Sequence, residues 1–470
     1  MKIILLCLGF FITCKSIAQI KEGSIKPEMT DPLRPQFHYT ADSGFLSDPN
    51  GLLYYKGVYH LFHQYNPYDI KSGVPQHWGH ATSTDLINWK RLPIAIFPHG
   101  GGNIWSGSAV VDVSNSSGLQ KGSDPPIITF YTWQKDFTQR MIYSNDGTKT
   151  WHEYEHNPVV GNLVKNNRDP KVFWYEPARK WIMILYTSDF EIFTSVDMRQ
   201  WEHASYMNLK DFHECPDFFE LPVDGNFHNK KWVIIDARGS YYIGNFDGTN
   251  FKPESGPFLS DYNGRNKIFY ATQTFNNIPQ KDPRRIQISC MRDRPYKIPW
   301  QKFCNQMTFP CELTLRTTSE GIRLFREPVR EISLLYLKSR KLSSEKVSPA
   351  TNFNFSEYFL LDINAIFKPN NATNISFVIR GVPVDYDVTK QEISCEGVVA
   401  PLKIKGNGTV DLRILVDRVS LEIFGNGGEV SLSVYVNFSS QEKLSYITAN
   451  GSPAEIEKLE VAELKSIYQE

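Results

Sequence analysis

One pattern recurs along most of the chain and restricts its fold more than any other feature. A Ser or Asn stands two residues before an Asp, and an aromatic follows that Asp after four or five positions. The copies are Ser83-Thr84-Asp85 with Trp89, Ser144-Asn145-Asp146 with Trp151, Ser195-Val196-Asp197 with Trp201, and Asn245-Phe246-Asp247 with Phe251. The period is roughly 50–60 residues, the size of one four-stranded propeller blade. Between copies lie apolar runs of strand length, such as Trp181-Ile182-Met183-Ile184-Leu185-Tyr186 and Trp232-Val233-Ile234-Ile235, with hardly a helical period among them. Each Asp can close a turn on the backbone amides that follow it, and each aromatic can pack between blades. A reaction needs one site, whereas these residues recur once per blade, so the repeated Asp and Trp are read as structural. With a hairpin near Asp48 and strands near Arg285, five blades fit. The expected fold is all-β, a five-bladed β-propeller over residues 30–337 followed by a C-terminal β-sandwich over residues 346–468.

The change of texture after Leu337 sets that boundary. The stretch from Lys338 to Lys346 is charged and poor in large apolar groups, and it is expected to be a linker. Further on, Val419, Leu421 and Ile423 alternate with Ser420, Glu422 and Phe424. Gly425-Asn426-Gly427-Gly428 then turns the chain into Val430, Leu432 and Val434, which alternate with Ser431, Ser433 and Tyr435. This is a hairpin with one buried face, one edge of a small antiparallel sandwich. Asp417-Arg418 just before it is expected to hold the sandwich against the propeller.

Charge and cysteine usage narrow the function. Among 470 residues, Lys+Arg and Asp+Glu balance at 51 each, which excludes the concentrated positive field of a nucleic-acid or polybasic membrane surface and favours a neutral partner. The N-terminus has Lys2, an apolar run from Ile3 to Thr13, and Ser16-Ile17-Ala18 as a small-x-small cleavage signal, so residues 1–18 read as a secretory signal peptide. Cys14 ends the apolar run, but Phe11-Ile12-Thr13 lacks the small residues of a lipoprotein signal, and export by cleavage is expected rather than lipid anchoring. No other segment is apolar for the length an integral membrane span needs. The remaining cysteines, Cys215, Cys290, Cys304, Cys311 and Cys395, are odd in number and lack metal-site spacing.

Three carboxylates stand in unusual company: Asp48 before Pro49, Asp169 in Arg168-Asp169-Pro170, and Glu214 in Glu214-Cys215-Pro216-Asp217. Pro49 restricts Asp48 to extended backbone, and Pro49-Asn50-Gly51 is expected to form a tight turn before the hairpin that continues through Lys56-Gly57. The three acids fall in three blades, and the inner strands of a propeller converge on one axis. Carboxylates facing one sugar are what acid-assisted glycosidic cleavage requires, one to attack or to activate water and one to protonate the leaving oxygen.

These residues, together with His63-Gln64-Tyr65-Asn66-Pro67, His77-Trp78-Gly79-His80-Ala81, Trp105-Ser106-Gly107-Ser108 and Leu412-Arg413-Ile414-Leu415-Val416-Asp417-Arg418, strongly resemble glycoside hydrolase family 32, the invertases, inulinases and levanases. The likeness runs in order over nearly the whole mature chain. It implies a five-bladed propeller with a C-terminal sandwich and retaining hydrolysis of β-fructofuranosides (sucrose, inulin- or levan-type fructans) without metal or organic cofactor. By the resemblance Asp48 is the nucleophile, Glu214 the general acid and then base, and Asp169 the stabiliser of the transition state, with Arg168 beside it. Asn50, Gln64, Trp78, Trp105 and Ser106 are implied to line the fructose pocket, and Cys215 to sit against the acid as a small apolar neighbour. Glu214 must hold a proton while Asp48 is charged, so desolvation and nearby negative charge are expected to raise its pKa.

The chain departs from the family at Phe45-Leu46-Ser47, where Trp-Met-Asn is usual, and at Trp105, where Phe is commoner. Ser47 resembles family members that pass fructose to another sugar instead of to water, so a fructosyltransferase is the alternative enzyme. A fructan-binding protein that has kept the pocket without the chemistry is the alternative from another class. Linkage preference is expected to reside in the rim loops Asp69–Val74 and Phe97–Gly102.

Overall fold

The computed structural model describes residues 31–292, 301–350, 353–438 and 444–468; the expected leader at 1–18 lies outside them. Hydrogen-bonded pairing between Gly44 and Pro328 gives a five-stranded sheet, two four-stranded sheets and a nine-stranded sheet that divides at one parallel bridge, Val223 to Leu315, and within them five four-stranded antiparallel units can be traced. Blade I comprises Gly44–Tyr55, Val58–Asn66, His77–Ser83 and Lys90–Ile96, and blade II Ile104–Val111, Ile127–Trp133, Thr138–Ser144 and His152–Glu153. Blade III runs Arg168–Tyr175, Lys180–Tyr186, Phe190–Ser195 and Glu202–Met207; blade IV runs Asp217–Val223, Asn226–Ile235, Ser240–Phe246 and Phe251–Leu259. Blade V is Phe269–Thr274, Arg285–Met291, Cys311–Thr318 and Gly321–Pro328.

Each adjacent pair of blades shares an apolar core, and the cores close a ring. Phe62 and Trp78 of blade I pack with Tyr131 and Ile142 of blade II. Phe130 and Met141 of blade II pack with Trp181 and Met183 of blade III. Ile184 and Ile192 join Phe218 and Ile234 between blades III and IV, and Phe219 and Ile235 join Leu313 and Leu324 between IV and V. Leu46 and Leu61 of blade I meet Ile286 and Ile288 of blade V, and a parallel pairing of Gly44 and Phe45 with Phe303 and Cys304 adds backbone bonds to that closure.

The repeated residues do what their spacing suggests. Asp85 accepts from the amides of Ile87 and Asn88, Asp197 from Arg199 and Gln200, Asp146 from Lys149 and Thr150, and Asp247 from Thr249 and Asn250. Trp151 stands edge-on to Phe62 of blade I, and Trp201 to Phe130 of blade II, each bridging to the preceding blade.

The expected turn at Pro49-Asn50-Gly51 does not form. These residues lie inside the strand Gly44–Tyr55, which carries register shifts between Leu46 and Pro49 and between Asn50 and Leu53. A proline gives the ladder no N–H, so a bulge absorbs it where a regular strand cannot. The hairpin turn comes at Lys56-Gly57, both with positive φ as a two-residue hairpin requires.

Around the axis the inner strands are joined by buried polar side chains. Lys171 of blade III lies 2.6 Å from Asp217 of blade IV and donates to the Thr274 carbonyl of blade V, and Asp217 accepts from the Thr274 amide at 2.6 Å. Ser108 donates to the Pro170 carbonyl and accepts from the Val172 amide, both at 2.8 Å, tying blade II to blade III. Asn276 donates to carbonyls of both Ala109 and Val172.

Beyond the propeller, a seven-stranded and a six-stranded sheet enclose one apolar core, with Ile363, Phe367, Phe377, Tyr386, Ile414 and Leu432 among its members. The stretch expected as a linker is part of this sandwich, since Tyr336–Leu342 pairs with Ala454–Leu464 at the edge of the larger sheet. Its charges are those of an exposed edge strand, where they discourage pairing with another chain.

The hairpin Ser420–Gly425 with Val430–Tyr435 was expected to bury one face and buries both. Its polar face meets the propeller: Glu422 pairs with Arg326 (2.9 Å) and His38 (2.8 Å), and Ser433 donates to Asp261 at 2.7 Å. Asp417 accepts from the amides of Gln36 and Phe37 and contacts His38 at 2.7 Å, so it holds the sandwich to the segment that leads into blade I. Burial alone would lower the His38 pKa, but its bonds to Asp417 and Glu422 raise it to about 9, so this cluster carries positive charge between its acids.

Replacing Lys171 by Met leaves Asp217 buried without its cation. Chemical denaturation should show a loss of roughly 3–5 kcal/mol, and a loss below about 1 kcal/mol, the range of exposed pairs, would mean that the contact does not hold the axis.

Candidate active site

Asp48, Asp169 and Glu214 come together at one mouth of the propeller axis. They line a single cavity of about 160 Å³ with Gln64, Gln76, Trp105, Arg168 and Cys215. Each acid is aimed by a local irregularity. Asp48 sits within the bulged part of the first strand of blade I. Asp169 has φ +63°, and its amide donates to Thr132 Oγ1 of blade II at 2.9 Å. Glu214 precedes Cys215, which has φ +54°; the segment is fixed by the bond from the His213 amide to buried Asp236 (2.9 Å) and from the Ala237 amide to the Glu214 carbonyl (2.8 Å). Left-handed backbone at non-glycine residues costs energy, and here two such residues border the same cavity.

Arg168 draws the acids together. Its Nε and Nη2 both donate to Glu214 Oε2, at 2.8 and 2.5 Å, and its Nε lies 3.6 Å from Asp169 Oδ2. Tyr270 of blade V donates its hydroxyl to Glu214 Oε1, and the Arg292 guanidinium stacks 4.0 Å over the Tyr270 ring. Asp48 accepts from Ser47 Oγ at 2.9 Å and Ser106 Oγ at 2.8 Å. A relay runs back from there: Gln64 donates to Ser106 at 2.6 Å, and Gln76 donates to Gln64.

The protonation pattern reverses one expectation. Burial and then the charge of Glu214 push the Asp169 carboxyl up to about 7, against the pull of Arg168. Burial pushes Glu214 upward as well, but the Tyr270 hydroxyl and the Arg168 guanidinium outweigh it and hold that carboxyl below its usual range. The expected rise at Glu214 is therefore not found, because both its oxygens accept from strong donors. The acid raised instead is Asp169, which Arg168 touches less closely.

Of the residues expected to line the pocket, Gln64, Trp105 and Arg168 do so. Asn50, Trp78 and Ser106, all at most 1 % exposed, lie one layer behind it. Trp78 Nε1 donates to the Trp105 carbonyl at 3.0 Å and so braces the wall. The Asn50 amide, with its nitrogen toward Ser106, donates to Ser106 Oγ at 3.2 Å and accepts from the Gln64 amide at 3.3 Å. Cys215 faces the other two acids rather than Glu214, with Sγ 3.4 Å from Asp169 and 3.8 Å from Asp48. Burial, then the charges of Asp169 and Asp48, push its thiol well above the ordinary range, so it is no thiolate nucleophile. Asp217, from the same tetrapeptide as Glu214, serves the axis beneath the cavity.

Sequence reasoning missed Gln76 and Tyr270. Gln76 follows a loop with no periodic signal. Tyr270 reads as one aromatic among many in a strand, and its partner lies 56 residues away.

A five-bladed propeller with three acids and an arginine at its mouth has the architecture of a carbohydrate-cleaving enzyme. The chain belongs to glycosyl hydrolase family 32: the model of that family's N-terminal domain matches residues 38–328, and that of its C-terminal domain matches residues 341–463. A levanase of Bacillus subtilis is 38 % identical, over 93 % of this chain and 71 % of its own length. An extracellular exo-inulinase of Aspergillus niger is 29 % identical, over 93 % of this chain and 95 % of its own. Among solved structures, an exo-inulinase of Aspergillus awamori superimposes with a TM-score of 0.83 at 27 % identity, covering 92 % of this chain and 98 % of that one. A β-fructofuranosidase of Schwanniomyces occidentalis complexed with fructosyl-erythritol gives 0.82 at 26 % identity over the same shares.

Proposed function

We propose that this chain is a secreted hydrolase that releases terminal fructose from neutral β-fructofuranosides, with fructans and sucrose as its substrate class, and that it retains configuration at the anomeric carbon. The observation that carries the reading is the convergence of Asp48, Asp169 and Glu214 from separate blades on one cavity large enough for a single furanose ring. Secretion is supported by the leader-like N-terminus and by the extracellular relatives.

In the first half-reaction, a carboxylate oxygen of Asp48 attacks the anomeric carbon while the bond to the leaving oxygen breaks. The electron pair stays on that oxygen, which takes the proton of Glu214. In the second half, Glu214 removes a proton from water, the water oxygen bonds to the anomeric carbon, and Asp48 leaves as carboxylate. Ser47 and Ser106 hold the two Asp48 oxygens in place. Asp169 accepts from ring hydroxyls and opposes the positive charge that develops on the sugar.

Burial and the charge of Glu214 raise the Asp169 pKa, and Tyr270 and Arg168 lower that of Glu214, so substrate entry has a second task. A furanose hydroxyl that donates to Asp169 favours ionised Asp169, and displacement of Arg168 or Tyr270 from Glu214 favours protonated Glu214. Both exchanges favour the proton on the group that must deliver it.

A second reading, transfer of fructose to another sugar, is favoured by the Ser47 hydroxyl at 2.9 Å from Asp48 Oδ1. Concentrated sucrose should yield oligosaccharides under that reading and only free monosaccharides under hydrolysis.

Asp48→Ala and Glu214→Ala should each lower kcat on sucrose or levan by several orders of magnitude with an unchanged fold; near-wild-type turnover in either purified variant would overturn the assignment. Tyr270→Phe removes a donor to the Glu214 carboxylate and so raises its pKa. The acid then stays protonated to higher pH, and the basic limb of kcat/KM should move up by about one unit, as expected for a hydrogen bond to a charged group. An unmoved limb would show that Tyr270 does not govern the acid.

A further inference from the structure

We infer that Tyr68 and Phe97, packed against the buried ring of His77 on the outer rim of blade I, form a second sugar-binding subsite that grips the part of a fructan chain lying beyond the catalytic cavity. The inference rests on the reading of that cavity as the place that holds the terminal fructose.

Tyr68 is 75 % exposed and Phe97 57 % exposed, yet both rings converge on the ring of His77. Tyr68 stands edge-on to it at 5.9 Å and 64°, and Phe97 at 5.5 Å and 79°. Single exposed aromatics are ordinary on a protein surface. Two that flank one ring, on loops that lead directly into the catalytic wall, need another account. The loop carrying Tyr68 ends at Gln76, and the loop carrying Phe97 ends two residues before Trp105; both Gln76 and Trp105 line the cavity. The loops are also tied to each other, since the Gln76 amide donates to Asn103 Oδ1 at 3.0 Å and the Ile104 amide to the Gln76 carbonyl at 3.2 Å.

The platform is rigid before any ligand arrives. Asn66 donates to the carbonyls of Ser72 and Val74, at 2.8 and 2.7 Å, and accepts from the Tyr68 amide at 3.0 Å. His77 Nδ1 lies 3.1 Å from the Pro75 carbonyl and 3.3 Å from that of Tyr65, so the central ring cannot turn away. Little ordering therefore remains to oppose binding. Exposed ring faces beside a phenolic hydroxyl suit a neutral sugar, which presents C–H faces and hydroxyls together. Burial lowers the His77 pKa, which keeps the middle of the platform uncharged at neutral pH. The occupant on this account is the remainder of the same polymer whose end lies in the cavity. Sucrose, with one unit beyond its fructose, offers the rim far less to grip than a polymer does.

The test is Tyr68→Ala combined with Phe97→Ala, with His77 left intact, and Tyr68→Ser alone as a milder second variant. On levan and inulin, kcat/KM should fall about tenfold through KM, while sucrose cleavage stays within about twofold of wild type. An equal fall on all three substrates, or no fall on either polymer, would overturn the subsite. In an Asp48→Ala background, levan cast in a native gel should retard the protein, and the two alanines should abolish the retardation; retardation that survives them would also overturn it. A wild-type chain that releases fructose from none of the three would remove the reading of the cavity instead, and the gel would still judge the rim.

Discussion

Everything at the mouth of the propeller depends on how its inner strands are held to one another around the axis. Neighbouring blades share side-chain cores, but their inner strands form no continuous ladder, so the axis needs other ties. Lys171, Asp217 and Thr274 supply one across three blades, and Ser108 and Asn276 supply others. A buried ion pair adds little net stability compared with apolar residues of similar size, but it tolerates few alternative geometries, and breaking it is costly. Its value here is registration. Asp169 lies two residues before Lys171 and Glu214 three residues before Asp217, so the pair that locks blades III and IV also fixes where those two acids can stand. Asp48 is located from the other side, by the bulged strand and the serines that hold its oxygens.

The cavity that results is electrostatically crowded. Three carboxylates, one guanidinium in contact with two of them, and a buried thiol share a space the size of one sugar ring. Low polarity and close packing prevent full ionisation. Burial and the charge of Glu214 push Asp169 up, whereas Tyr270 and Arg168 hold Glu214 below its usual range.

Much of this was legible in the sequence because it depends on local chemistry. A turn-closing Asp followed by a blade-bridging aromatic needs only a few consecutive residues, so its period revealed the repeat. The three acids were legible for the same reason, each standing one or two residues before a proline in a short motif. What stayed hidden depends on distant partners. The strand through Pro49 looked like a turn because bulges leave no mark in residue type. The hairpin after Asp417 looked half-exposed because Ser, Glu and Ser alternate in it, yet those polar groups face Arg326, His38 and Asp261 across a buried interface. Lys338 to Lys346 looked like a linker because an exposed edge strand and a linker share a composition. The lowered Glu214 could not be read at all, since it is set by a tyrosine one blade away.

The central claim is that Asp48 forms a bond to fructose at a site where Glu214 supplies and later removes the proton. A fructosyl fluoride tests it directly, because fluoride departs without help from an acid. With Glu214→Ala the first half-reaction should proceed and the second should stall, and mass spectrometry of the quenched protein should find one added fructosyl group on the peptide that contains Asp48. Fluoride release with no adduct, or an adduct on any other residue, would contradict the account.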